Sequence, residues 1–128
     1  MTVPTRAMVL AAGLGTRMRP LTLKTPKPLL TVAGRTLLDH MLDRLVAAGV
    51  TFAVVNIHHL GEQIEAHLKK RKDLEIVIAD ERARLLDTGG GTAAVLHHFH
   101  DEPFFSVNTD ALLVDSRGDA LQRLARSW

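Results

Sequence analysis

The 128-residue chain contains no cysteine and no tyrosine, and aromatic residues make up only 4% of it. Without cysteine there is no disulfide framework and no thiolate metal site, a usage in keeping with a reducing cytoplasm. So few aromatics leave no stacking platform of the kind that holds single-stranded nucleic acid. No apolar run approaches the ~20 residues that a membrane-spanning helix needs. Neither nucleic acid nor membrane is therefore an expected partner. Acidic residues are also missing, but locally. Met1 to Leu38 holds six basic residues (Arg6, Arg17, Arg19, Lys24, Lys27 and Arg35) and no Asp or Glu. The remainder carries ten basic residues against fourteen acids, so the net charge of +2 hides an asymmetry. A basic stretch in a nearly neutral protein marks one place for an anionic ligand, or an ordinary basic surface patch.

What is present fits one globular domain. Hydrophobic residues make up 46% and charged residues 23%, and 128 residues suffice for a single core. Arg6 followed by the apolar residues 7–13 superficially resembles a secretion leader. The run is short and Arg17 and Arg19 follow at once, so a buried first strand and a cytoplasmic location are expected instead.

The pattern along the chain alternates. Ala7 to Ala12 reads as a strand covered on both faces. A loop follows to about Leu30, in which Pro20, Pro26 and Pro28 forbid a regular helix. Leu37, Leu38, Met41, Leu42, Leu45 and Val46 recur at helical spacing, with Gly49 placed to end the helix. Phe52 to Ile57 reads as a strand and Gly61 to about Lys70 as a helix. Leu74 to Ala79 then reads as a strand, Thr92 to Phe99 as a helix after a glycine triplet, Phe104 to Val107 as a strand, and Ala120 to Ala125 as part of a closing helix. This order predicts a three-layer α/β/α fold with a mainly parallel sheet.

In a parallel sheet the carboxyl ends of the strands share one edge, where ligands bind. Three segments should converge there: residues 13–22 after the first strand, Asp87-Thr88-Gly89-Gly90-Gly91 after the third, and Asn108-Thr109-Asp110 after the fourth. The first of these matches neither the dinucleotide fingerprint, because Met18 occupies the place of its last glycine, nor the P-loop. Its glycines let a phosphate approach the backbone, with Arg17 and Arg19 to stabilise the charge. Alone, two such glycines more often mark a turn with solvated arginines.

The longer pattern is more specific. Ala11-Ala12-Gly13-x-Gly15-Thr16-Arg17-x-x-Pro20-Leu21-Thr22, followed by Pro26-Lys27-Pro28-Leu29, resembles the signature of the sugar-1-phosphate nucleotidyltransferases. With Thr25 and the later Asp-Thr-Gly-Gly-Gly, it looks most like the N-acetylmuramic acid-1-phosphate uridylyltransferases, followed by the mannose-1-phosphate guanylyltransferases. The resemblance covers nearly the whole chain but only about the N-terminal half of the family's domain.

The resemblance implies a Rossmann-like nucleotidyltransferase fold. It implies nucleotidyl transfer from UTP or GTP to a sugar 1-phosphate, giving a nucleotide sugar for cell-wall or related biosynthesis. Residues 1–128 would be the nucleotide-binding part. By position, Ala11, Ala12, Gly13, Gly15 and Thr16 hold the nucleotide, Arg17 grips the triphosphate, and Lys27 neutralises charge near the reacting phosphates. Gly89 and Gly90 lie against the nucleobase, and Asp110 binds Mg²⁺. Asp87 departs from the pattern, in which the close relatives usually carry glutamate. The family's sugar pocket and a second metal-binding carboxylate come from a part beyond these residues. A truncated or divergent form is therefore expected, with a non-catalytic nucleotide-binding module needing a partner as the alternative. A sheet cut off halfway exposes an edge, which leaves a homo-oligomer open.

The chemistry fits these roles independently. Fixed cations and a hard metal ion stabilise charge on the reacting phosphates without a protein nucleophile, and Mg²⁺ commonly takes one or two carboxylates plus phosphates. His58-His59 and His97-His98-x-His100 suggest zinc at first sight. Adjacent histidines diverge on a strand or a helix, no cysteine assists, and no H-E-x-x-H spacing occurs, so they read as partly exposed structural residues.

Overall fold

The largely apolar run near the amino terminus forms strand β1 (Arg6–Leu10) in the computed structural model, which describes residues 3–14, 16–109 and 120–127. Ala11 and Ala12, expected within the strand, instead open the loop after it, though both remain buried. The proline-rich loop holds three 3₁₀ turns (Thr16–Met18, Leu21–Leu23 and Lys27–Leu29) and no α-helix.

A small hairpin that the periodicity does not reveal comes next, β2 (Thr31–Val32) with β3 (Arg35–Thr36). Its two-residue connection, Ala33-Gly34, has positive φ at both positions (52° and 79°), the geometry of the type I′ hairpin turn.

Helix α1 (Leu37–Ala47) begins where Thr36 Oγ1 accepts a hydrogen bond from the Asp39 amide at 3.0 Å, a cap worth about 1 kcal/mol. It ends at Gly49, whose φ of +102° lets the amides of Gly49 and Val50 reach the carbonyls of Val46 and Leu45. These are the paired bonds of a Schellman ending. Strand β4 (Phe52–Ile57), helix α2 (Gly61–Leu68) and strand β5 (Glu75–Asp80) follow close to expectation.

The third helix departs from it. Instead of Thr92 to Phe99, α3 spans Asp87–Ala93 and contains the glycine triplet, while Leu96–His98 form only a 3₁₀ turn. Strand β6 (Phe105–Asn108) and helix α4 (Ala120–Arg126) complete the described elements.

The four longer strands form a parallel sheet in the order β5-β4-β1-β6, and the β2–β3 hairpin stands apart. Alternation along β1 separates two cores. Ala7 and Val9 face a layer built from Leu38, Leu42 and Leu45 of α1, Ile64 of α2 and Leu121 of α4. Met8 faces the other way, with Val54, against Val95 and Phe99. Helical layers on both faces of a parallel sheet make this the three-layer α/β/α fold, and they explain why β1 and β4 are almost wholly apolar.

Candidate functional site

The carboxyl ends of the strands meet at the end of β1. Thr109, directly after β6, donates its hydroxyl to the Leu10 carbonyl at 3.0 Å. On the opposite side Asn56, near the end of β4, accepts a hydrogen bond from the Ala11 amide at 2.6 Å through its Oδ1. The Nδ2 of the same side chain donates to Oε2 of Glu81 at 3.0 Å. The other carboxylate oxygen, Oε1, accepts from the amide of Leu86 at 3.1 Å, immediately before α3. Asn56 and Glu81 are both buried, at 3% and 5% exposure. A chain of polar contacts thus runs beneath the edge from the first loop to the glycine helix.

That chain explains the glycine at position 91. A β-carbon there would lie 2.9 Å from Glu81 Oε2 and 3.0 Å from Asn56 Nδ2. Gly89 is different, because a β-carbon there would meet nothing within 4 Å. Gly89 and Gly90 are exposed on α3 and Gly13 is exposed after β1, so these backbones are open to a ligand's approach.

The basic loop is held to the same edge. The Nε2 of His59, just past β4, donates to the Thr22 carbonyl at 2.7 Å, and Gln63 of α2 donates to the Lys24 carbonyl at 2.8 Å. Thr16 and Arg17 are exposed on the first 3₁₀ turn, and Lys27 is half-buried at the start of the third, which packs on α1. Among the described residues neither Arg17 nor Lys27 forms an ion pair. Cations without protein counter-charges beside open backbone suit the binding of a polyanion.

The expected residues therefore group unevenly. Ala11 is tied through hydrogen bonds to the strand ends and the approach to α3, and Ala12 follows it, buried. Arg17 and Lys27 stand on the loop held over that edge, with no side-chain hydrogen bond to it among the described residues. Gly15 and Asp110 lie outside the described residues. Among the described residues no group of three His, Asp or Glu side chains gathers as a metal site. The buried carboxylate of Glu81 accepts one N–H on each of its oxygens.

His58 and His59 have structural partners. His58 Nδ1 donates to the Glu81 carbonyl at 2.6 Å, and His59 is the loop anchor already described. The rings of His97 and His98 lie 4.2 Å apart at the other end of the sheet. Burial, then the charges of His97, Arg6 and His100, hold His98 below the usual histidine pKa. A cavity of about 550 Å³ also opens at that amino-terminal edge, between Arg6, Phe104, Phe105 and Leu124, away from the strand-end loops.

Asn56 and Glu81 were not singled out from the sequence. The available signal was a lone amide within the apolar run Phe-Ala-Val-Val-Asn-Ile, because a polar side chain in a fully buried strand has to find a partner.

Known proteins bear on this geometry. Residues 6–127 match the family model described as nucleotidyl transferase. N-acetylmuramate alpha-1-phosphate uridylyltransferase of Caulobacter vibrioides is 52% identical over 129 residues, covering 98% of this chain and 53% of that protein. The mannose-1-phosphate guanylyltransferase catalytic subunit beta of Drosophila melanogaster is 38% identical over 112 residues, covering 84% of this chain and 30% of that protein. Among solved structures, the UTP-bound UGPase from Acinetobacter baumannii superposes with a TM-score of 0.80 at 19% identity, over 97% of this chain and 52% of that one. The chain spans about half the length, or less, of these relatives. No helix among the described residues is long and apolar enough to cross a membrane.

Proposed function

Because the chain belongs to the nucleotidyl transferase family, we propose that residues 1–128 are the N-terminal, nucleotide-binding part of a sugar-1-phosphate nucleotidyltransferase domain. In the proposed reaction a phosphate oxygen of the sugar 1-phosphate attacks the α-phosphorus of a nucleoside triphosphate. The bond to the β-phosphate breaks and pyrophosphate leaves.

The observation that carries this reading is the junction at Ala11. There the strand ends are locked together beside a basic loop whose Arg17 and Lys27 form no ion pair among the described residues. Ala11, Ala12, Gly13, Gly15 and Thr16 form the nucleotide loop, and Gly89 and Gly90 the floor beneath the base. Arg17 stabilises the triphosphate and the departing pyrophosphate, and Lys27 the reacting phosphates. Asp110, with phosphate oxygens, would hold Mg²⁺, which would supply further charge neutralisation when bound.

UTP is the proposed triphosphate and N-acetylmuramate 1-phosphate the proposed acceptor, supported by the 52% identical uridylyltransferase. GTP and mannose 1-phosphate are the runner-up, supported by the more distant guanylyltransferase. The muramate reading places the chain in cytoplasmic supply of a cell-wall precursor.

The test is a calorimetric panel of UTP, GTP, CTP, ATP and dTTP with Mg²⁺. Preference for UTP supports the proposal, preference for GTP moves it to the runner-up, and no binding to any of them overturns it. The second reading is a nucleotide-binding module without turnover of its own. Pyrophosphate release by the 128-residue chain, given triphosphate and sugar phosphate, separates the two readings. Robust multiple turnover excludes the second.

A further inference from the structure

We infer that Asn56 and Glu81 act as a pair of positioning residues that set the spacing between the first loop and the glycine helix, and thereby the affinity for the nucleoside end of the triphosphate. The inference rests on the nucleotide reading above and adds a role for two buried residues that act through the loop and the helix they join.

The contacts leave little freedom. Asn56 must present Oδ1 to the Ala11 amide, because only an oxygen can accept there, and this turns Nδ2 toward Glu81. Glu81 receives that N–H on one oxygen and the Leu86 amide on the other. Its own backbone is fixed too, with its amide donating to the Ile57 carbonyl at 2.8 Å and its carbonyl accepting from His58 at 2.6 Å. Position 91 has room for no side chain against the pair. The separation between Ala11 and α3 is therefore set by one amide and one carboxylate in series. Arg17 and Lys27 lie outside this series, so the phosphate end should be insensitive to it.

The polarity of the series can be reversed without changing its length or total charge. Asn56→Asp alone places two carboxylates about 3.0 Å apart, the present distance from Nδ2 to Oε2. Glu81→Gln alone leaves two N–H donors facing each other on one side or the other. Together they restore every bond. The aspartate accepts from Ala11 and from the glutamine's Nε2, while the glutamine's Oε1 accepts from Leu86.

The experiment measures UTP, GTP and inorganic tripolyphosphate binding to the parent, both single variants and the double variant. Ala11 amide exchange is followed by NMR in each. Each single variant should bind the preferred nucleotide about tenfold more weakly, the scale of one lost buried hydrogen bond, with tripolyphosphate affinity unchanged. The double variant should regain parental nucleotide affinity, and slow Ala11 exchange should return with it. Selective loss followed by recovery is not expected of residues that merely support the fold. Should the single variants be too unstable to assay, parent and double variant must still agree in affinity and in exchange. Single variants that bind nucleotide like the parent, or a folded double variant that does not recover, overturn this inference and leave the nucleotide reading standing. A parent that binds tripolyphosphate but no nucleoside triphosphate overturns both.

Discussion

Thr109 and Leu10, 99 residues apart, are joined by a hydrogen bond of 3.0 Å from the Thr109 hydroxyl to the Leu10 carbonyl. The bond fixes the end of β6 beside the loop that leaves β1. Thr109→Val keeps the side chain's shape and removes the donor at a residue only 3% exposed. Stability should fall by about 1 kcal/mol, the usual net worth of such a bond, as measured by urea denaturation with an unchanged slope. Unchanged stability would show that this hydroxyl does not hold the strand end.

Arg17 should matter to ligand and not to fold. It is exposed and forms no ion pair among the described residues, so Arg17→Ala should change stability by no more than about 0.5 kcal/mol. A charge-assisted contact to phosphate is worth ~1.5–3 kcal/mol, so triphosphate affinity should drop about tenfold or more. Calorimetry on the folded variant decides this. Undiminished affinity would remove the first loop from the phosphate site.

The alternation of strands and helices was legible because each longer element buries a face whose period is written in its apolar residues. In α1 these are Leu38, Met41, Leu42 and Leu45, and in β4 the whole run. The β2–β3 hairpin was not legible. Its strands have two residues each and are mostly exposed, and Ala33 stands where asparagine or glycine usually signals such a turn. The placement of α3 failed for another reason. Three consecutive glycines disfavour a helix by propensity, but at Gly91 the close approach of Asn56 and Glu81 leaves no room for a side chain, so packing overrides propensity. Of the candidate site, the loop and the glycines were visible in the sequence as motifs. The pair beneath them required knowing that β4 and β5 are neighbours.

Acid should weaken the contact between α1 and α2 through Asp39. Its carboxylate accepts from His67 Nε2 at 2.8 Å and from Arg71 Nη1 at 3.1 Å. Burial alone would raise its pKa, but the hydrogen bond and charge of His67, with Arg71 and Thr36, outweigh burial and hold it below the ordinary 3.8. A carboxyl group that ionises more readily in the folded state stabilises that state above its unfolded pKa. The contribution is lost as pH falls through the lower, folded value. The parent's advantage over Asp39→Asn in urea denaturation should therefore be present above the unfolded value and shrink as the pH falls below 3.8. An advantage that persists through that range would remove Asp39 as the source.

The glycine helix allows stability and binding to be driven in opposite directions. At Gly89 a methyl group meets nothing within 4 Å, so Gly89→Ala should stabilise the fold by about 0.5–1 kcal/mol through helix propensity. If a nucleobase lies on that backbone, the same methyl group occupies its place, and nucleotide affinity should fall while tripolyphosphate affinity does not. Gly91→Ala should do the reverse to the fold. Its methyl group would stand 2.9 Å from Glu81 Oε2, and relieving that contact must displace a buried carboxylate from its partners. A cost of about 1–3 kcal/mol is expected, the range for overpacking a filled site. Thermal denaturation and calorimetry on the two variants provide the check. A more stable Gly89→Ala that binds nucleotide as tightly as the parent would leave the helix in place and remove the base from its surface.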